Sequence, residues 1–184
     1  MEHKEDIINR IGEKRYLHSI RVMEVAEKLA KIHSENIEKA KIAAYYHDCA
    51  KIRDNDILIK TAVDYNLQLN DDMKKAPQII HGYLGAIIAN KLYGINDKEI
   101  LDAIRNHTTG CENMTKLDKI IFLSDYIEPM RNFSGVEEAR KLAEKDLDEA
   151  MLFALNNTME FLLNKNEYIA LETLKARNFI LENK

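Results

Sequence analysis

Several histidines and aspartates stand where helical periodicity calls for core residues. His18 continues an apolar stripe of the first long helix, spaced by three and four residues, that consists of Val22, Val25, Leu29 and Ile32. A side chain in such a stripe should face other helices and not water. The same intrusion of polar groups into apolar faces recurs at His47, Asp48, His81, His107 and Asp125.

A metal ion accounts for this combination better than ordinary core packing does. One histidine on an apolar face is usually hydrogen-bonded to a carbonyl, but a buried ionised carboxylate is costly unless a cation or several donors compensate it. Asp48 and Asp125 stand where that cost arises. Neighbouring helical residues point about 100° apart, so His47 and Asp48 can hold one ion only with ligands from other helices. The sequence therefore predicts a metal site formed by His18, His47, Asp48 and Asp125.

The predicted ligands favour a catalytic ion over a structural one. A mixed nitrogen and oxygen set with positions left for water suits iron, as Fe2+ or Fe3+, and also Mn2+ or Co2+, better than structural zinc. Such an ion activates water and polarises a phosphoryl oxygen, which predicts hydrolysis of a phosphate compound. Asp48 and Lys51 are the predicted catalytic residues, since Lys51 lies three residues after Asp48, near the same helical face, and can reach phosphates.

Other polar residues suggest how a phosphate chain would be bound. Arg131 follows the break at Pro129, close to Asp125, and a guanidinium binds phosphate oxygens in a bidentate way. His81 and His107 either contact phosphate or ligate a second ion. We favour phosphate contact, because few carboxylates are available to bridge two ions.

The elements that must position these residues are helices. Only 2 prolines and 6 glycines occur among 184 residues, and the alternation typical of strands is absent. We predict an all-α, single-domain helical bundle over 1–184, with a metal-site core at about 14–131 and completing helices at about 136–182. Thr173 is predicted to cap the last helix. The predicted helices are 14–33, 36–51, 55–65, 77–92, 97–107, 116–128, 136–163 and 174–181.

Composition limits the possible partners and location. The formal net charge of −4 offers no basic face for duplex nucleic acid, so an anionic substrate needs a local group of cations. The first residues are charged, and no apolar run approaches the length of a membrane span. Cys49 and Cys111 are widely separated, which indicates reduced thiols. We expect a cytoplasmic protein that does not enter a membrane.

The predicted site residues lie in three motifs: Tyr16-Leu17-His18-Ser19, His47-Asp48-Cys49-Ala50-Lys51 and Asp125-Tyr126-Ile127-Glu128-Pro129-Met130-Arg131. These motifs resemble the YqeK family of the HD superfamily of metal-dependent phosphohydrolases, which implies an HD-type helical bundle. The resemblance extends over nearly the whole chain. It implies symmetrical hydrolysis of diadenosine tetraphosphate to two ADP by a metal-activated water, iron bound by the four predicted ligands, adenine recognition and a homodimer.

The resemblance also implies a set of nucleotide contacts. His18 and Asp125, besides ligating the metal, would face the substrate. The other implied contacts are Lys51, His81, His107, Thr108, Arg131, Tyr168, Ile169, Ala170, Leu171, Glu172 and Thr173. Two alternatives stay open from the residues alone: an HD hydrolase of another nucleotide, or a module that senses a nucleotide without consuming it.

Overall fold

The computed structural model describes residues 2–184, in which eleven α-helices and one 3-10 turn, Pro77–Ile79, account for all regular structure. Met1, the first residue of the domain expected over 1–184, lies outside the described residues. The helices are α1 Lys4–Ile11, α2 Glu13–Ile32, α3 Ile37–Tyr46, α4 Asn55–Asp64, α5 Asp71–Lys75, α6 Ile80–Tyr93, α7 Lys98–Asn106, α8 Lys116–Ile127, α9 Val136–Lys145, α10 Leu147–Asn164 and α11 Leu171–Glu182.

The all-α prediction is confirmed, and the helices pack around one apolar core. Helix α2 packs against α3 and α8, and α7 packs against α3, α6 and α8. Ile104, Ile120 and Leu123 are fully buried where α7 and α8 meet. No helix in the described part of the chain combines the length and the apolar character that spanning a bilayer requires.

The stripe predicted for α2 is only partly correct. Val22 and Leu29 are buried, but Ile32, in the last turn, is 43% exposed because the helix ends there and the chain leaves the core. His18, at the other end of the stripe, is buried as expected. The periodicity therefore identified the inward face but not where that face leaves the bundle.

Helix α3 is shorter than predicted, and this changes how the His-Asp pair is held. The helix ends at Tyr46, so His47, Asp48 and Lys51 follow it in a turn and an irregular segment. The turn is closed by hydrogen bonds from the Cys49 amide to the Tyr46 carbonyl and from the Lys51 amide to the Asp48 carbonyl. The prediction that Lys51 lies near the same helical face as Asp48 was wrong, because the helix ends before either residue.

The C-terminal region differs from the sequence prediction at two places. The helix predicted over 136–163 is two helices, because Asp146 is extended and its side chain caps α10 by accepting hydrogen bonds from the Asp148 and Glu149 amides. Thr173 is not an N-cap: α11 begins at Leu171, and Thr173 is buried within its first turn. Helices α1 and α5 were not predicted.

Candidate metal centre and adjoining cavity

Five helices bring the predicted metal ligands and the two histidines predicted to contact phosphate to one place in the bundle. His18 lies in α2 and Asp125 in α8, whereas His47 and Asp48 follow the end of α3. His81 lies in the first turn of α6, and His107 follows the end of α7. Except for Asp125, which is partly exposed, these side chains are buried.

Each of the four histidines directs its Nε2 atom towards the centre, because a carbonyl or carboxylate oxygen on the opposite side of the ring holds its Nδ1 atom. Nδ1 of His47 donates to the Ala44 carbonyl at 2.6 Å, and Nδ1 of His107 donates to the Ile104 carbonyl at 2.7 Å. Nδ1 of His81 donates to the Gln78 carbonyl at 2.5 Å. Nδ1 of His18 lies 3.3 Å from Oε1 of the buried Glu128. Hydrogen bonds at the nitrogen that faces away from the metal fix the ring orientation and tautomer of metal-binding histidines.

The Asp48 carboxylate lies between two pairs of imidazoles. Its Oδ2 atom lies 3.4 Å from Nε2 of His47 and 3.7 Å from Nε2 of His18. Its Oδ1 atom lies 3.2 Å from Nε2 of His81 and 3.7 Å from Nε2 of His107. On the His18 side, Oδ1 of Asp125 lies 3.0 Å from Nε2 of His18.

This donor set fits a metal ion. In residues 2–184, Nε2 of His18 and Nε2 of His47 are buried side-chain atoms without a hydrogen-bond partner. Ligand atoms of His18, His47 and Asp125 lie within 4.8 Å of one another, and so do those of His47, Asp48 and His107. Unpartnered imidazole nitrogens beside buried carboxylates would be costly without a cation, and a divalent ion satisfies both groups.

The electrostatics of the centre favour binding a cation. Burial raises the pKa of Asp48, but His47, His107 and His81 outweigh that effect and hold it well below the usual range. For Asp125, burial is likewise outweighed by His18 and Arg131, and its pKa also lies well below the usual range. Burial and the neighbouring Lys51 ammonium lower the pKa of His81 to about 4, which leaves that ring neutral near pH 7. The centre thus combines two ionised carboxylates with an imidazole that resists protonation.

An open cavity of about 630 Å³ begins at this centre. One end is lined by Lys51, His81, His107, Thr108, Asp125 and Arg131. Lys51 donates from Nζ to the His81 ring at 3.2 Å, and Arg131 donates from Nη2 to Oδ1 of Asp125 at 2.5 Å. Two cationic side chains beside a metal centre provide the local positive charge that the acidic chain as a whole lacks.

The predicted contact segment of 168–173 lies away from the lining of this cavity. The Tyr168 hydroxyl donates to Oδ1 of Asp72, and the Leu171 amide donates to Oδ2 of Asp72, both at 2.7 Å. Helix α11 packs against the chain just after Thr108, since a Cβ added at Gly110 would lie 3.0 Å from Cβ of Ala176. The nucleotide contacts of this segment stay a prediction.

Sequence reasoning missed several residues of the site. Arg15 donates from Nη1 to Oδ2 of Asp48 at 2.8 Å, and Glu128 holds His18 while accepting from Nε of Arg21 at 2.7 Å. Arg15 and Arg21 lie in α2 on either side of His18, three residues away in each direction. That spacing places both arginines beside His18 on the helix surface, and it could have indicated from the sequence that they adjoin the site. The pairing with Glu128, 110 residues from His18, had no local signal.

Comparison with known proteins places this arrangement in a family. Residues 15–130, which contain all four predicted metal ligands, match the model of the HD domain. The chain belongs to the HD domain family. That membership confirms the resemblance seen in the sequence and implies a divalent metal at the site.

Relatives along almost the full length agree with this assignment. The chain is 44% identical to the symmetrical bis(5'-nucleosyl)-tetraphosphatase of Halalkalibacterium halodurans, over 93% of this chain and 91% of that one. It is 39% identical to the protein of the same name from Bacillus subtilis, over 94% and 92% of the two chains. A crystal structure described as a predicted HD superfamily hydrolase involved in NAD metabolism from Clostridium acetobutylicum superposes with a TM-score of 0.94 at 42% identity, covering 98% of this chain and 96% of that one.

Proposed function

We propose that this protein hydrolyses diadenosine tetraphosphate symmetrically, giving two molecules of ADP. The observation that carries the proposal is the convergence of four imidazole Nε2 atoms on Asp48 at the cationic end of an open cavity. Full-length relatives that bear the name of this activity support the choice of substrate. Water adds to one of the two central phosphorus atoms, the bond from that phosphorus to the central bridging oxygen breaks, and this oxygen leaves with the other ADP.

His18, His47, Asp48 and Asp125 would hold the metal. When bound, an ion at such a site lowers the pKa of water and polarises the phosphoryl oxygen under attack. We extend the proposal to iron, with Mn2+ or Co2+ as substitutes, because the ligand set mixes nitrogen and oxygen. His81 and His107 are proposed to contact phosphate; two equivalents of metal per chain would instead favour their role as ligands of a second ion.

The chain's own residues orient and neutralise the phosphate chain. Lys51 is partly buried, and burial lowers the pKa of its ammonium, so a phosphate oxygen that reaches it gains a strong, weakly screened partner. Arg131 is held against Asp125 by two hydrogen bonds, from Nε to the Asp125 carbonyl and from Nη2 to its side chain. Its remaining N–H groups can direct a phosphate towards the centre. The leaving ADP carries new negative charge on its terminal oxygen, which these cations stabilise.

The assay that tests the proposal identifies products. Purified iron-loaded protein is incubated with diadenosine tetraphosphate under reducing conditions, and the nucleotides are separated by anion exchange. ADP as the sole product is the expected result. ATP with AMP would retain a metal hydrolase but overturn symmetrical cleavage. No turnover with iron in the site would overturn the substrate assignment and favour another nucleotide or a sensing role.

Two further properties belong to the proposal. A homodimer is expected, and light scattering coupled to size exclusion would detect twice the chain mass of 21.3 kDa. A cytoplasmic location is also proposed, and fractionation of the source cells would test it.

A further inference from the structure

The cavity extends beyond the phosphate end along one face of α10. In the first half of that helix the buried stripe is apolar, with Leu147, Ala150 and Ala154 at intervals of three and four residues. The same spacing continues the stripe through Asn157, Phe161 and Asn164, which line the cavity. Amides and an aromatic ring therefore replace core residues where the helix faces the cavity.

This end of the cavity is chemically unlike the metal end. Within the described chain, none of the lining residues after Arg131 is cationic, and Glu160 adds a carboxylate. This end therefore offers phosphate fewer cationic partners than the metal end, with the Lys165 ammonium placed over the Phe161 ring, 4.6 Å from its centroid. The wall instead carries aromatic rings: Tyr126 and Phe133 pack with their centroids 4.9 Å apart and their planes tilted by 60°. The end suits an uncharged, planar group.

The amide of Asn157 is fixed beside that aromatic wall. The loop that carries Arg131 and Phe133 ends at Gly135. Its φ of +91° lies in the left-handed region, which glycine adopts without strain. A Cβ at Gly135 would lie 3.0 Å from the Phe153 ring and 3.3 Å from Nδ2 of Asn157, so the loop backbone packs directly on α10. The same loop thus sets the distance between the phosphate-orienting guanidinium and the amide.

We propose that this end, formed by Tyr126, Phe133 and Asn157, holds one nucleobase of the substrate, with Asn157 reading the edge of the base. The inference rests on the proposed function and adds a specificity-determining residue to it. A ring face supports a base by stacking, which holds the base without selecting it. Selection requires a donor and an acceptor placed together, which a carboxamide supplies.

A carboxamide distinguishes adenine from guanine by hydrogen bonding. Adenine presents an amino donor next to an acceptor nitrogen, which matches the oxygen and the NH2 of asparagine. The corresponding edge of guanine presents two acceptors, N7 and O6, which asparagine cannot satisfy together. Asn157 should therefore favour diadenosine over diguanosine tetraphosphate.

The test compares three variants for both dinucleotides on the metal-loaded full chain. Asn157→Ala should lower kcat/KM for diadenosine tetraphosphate about tenfold, the effect of losing roughly one good hydrogen bond. It should change diguanosine tetraphosphate turnover far less. Asn157→Asp, which accepts but cannot donate, should also lower kcat/KM for diadenosine tetraphosphate, because it loses the donor to the acceptor nitrogen of adenine, and it should not improve turnover of diguanosine tetraphosphate, whose N7 and O6 are both acceptors. The matched control is Asn156→Ala, the adjacent exposed asparagine, which bonds Arg177 on the surface and should behave as wild type.

Metal content and melting temperature, measured on each variant, separate a recognition role from a structural one, since both should stay unchanged in Asn157→Ala. An unchanged ratio of the two kcat/KM values in both Asn157 variants would overturn the inference while leaving the hydrolase intact. If the wild type turns over neither dinucleotide, the proposed function fails separately. Diadenosine tetraphosphate is then a stable ligand, and equilibrium dialysis decides the inference: weaker binding to Asn157→Ala than to Asn156→Ala supports it, and equal binding overturns it.

Discussion

The buried carboxylate of Glu128 lies 3.3 Å from Nδ1 of His18, on the side of the ring opposite the metal centre. Arg21 and the Met130 amide each donate to the other oxygen of Glu128, at 2.7 and 2.9 Å. Burial raises the pKa of Glu128, but these donors hold it below the usual value, so the carboxylate is ionised. An ionised acceptor at Nδ1 leaves the Nε2 lone pair of His18 directed at the centre and makes it a stronger ligand.

Glu128→Gln should therefore weaken metal binding without unfolding the protein. Because glutamine keeps the shape but not the charge, we expect a loss of about 10–100-fold in metal affinity. Competition with a chromophoric chelator measures it directly, independently of activity. Glu24→Gln, on the exposed side of the same region, is the control and should bind metal as wild type does. Equal affinities in the two variants would contradict this role of Glu128.

Asp125→Asn and Asp48→Asn should each abolish most of the hydrolytic activity while leaving the helical content intact. Metal chemistry contributes several kcal/mol to the transition state, so a fall of at least about a hundredfold in kcat is expected. Circular dichroism checks the fold, and Asp71→Asn, at an exposed carboxylate, is the control. Full activity in either site variant would contradict the assignment of the substituted aspartate as a metal ligand.

Removal of the metal should lower the melting temperature. An ion that binds only the folded chain stabilises it by about 2.7 kcal/mol at a free concentration of 100 times its Kd, which corresponds to roughly 5–10 °C for a domain of this size. Scanning fluorimetry with and without a chelator measures the shift, which added metal should reverse. The Asp125→Asn variant should respond much less, since the response depends on the site. A wild-type melting temperature that ignores the chelator would contradict a metal in this centre.

The sequence was informative where a residue broke a local pattern. His18, His47 and Asp48 could be selected because each interrupts an apolar face, and that anomaly is visible without knowledge of the fold. Asp146 could not be recognised as a helix break, because it lies within a run of charged residues whose spacing suits one continuous helix. Glu128 gave no signal of its own, since its role depends on α2 and α8 lying together in the folded chain.

Thr173 illustrates the same limit from the opposite side. Its hydroxyl suggested an N-cap, yet the group that satisfies the start of α11 comes from α5: Asp72 accepts from the Leu171 amide. A cap supplied by another helix leaves no trace in the sequence around the helix it caps.

Asp72 should accordingly stabilise the C-terminal part of the fold. Its buried carboxylate accepts two hydrogen bonds of 2.7 Å, from the Tyr168 hydroxyl and the Leu171 amide. Bonds to a charged group contribute about 1.5–3 kcal/mol each, so Asp72→Ala should lower the free energy of unfolding by about 2–4 kcal/mol in urea titrations. Tyr168→Phe removes only the hydroxyl and should cost less.

Combining the two variants distinguishes loss of the specific contact between Asp72 and Tyr168 from a general loss of stability. In the double variant, Tyr168→Phe should add almost nothing to Asp72→Ala, because the bond it removes is already lost. Asp71→Ala, at the exposed neighbour, should change stability by less than about 0.5 kcal/mol. If instead the Asp72 and Tyr168 effects add fully, the hydroxyl and the carboxylate act independently, and the 168–173 segment is held by other contacts.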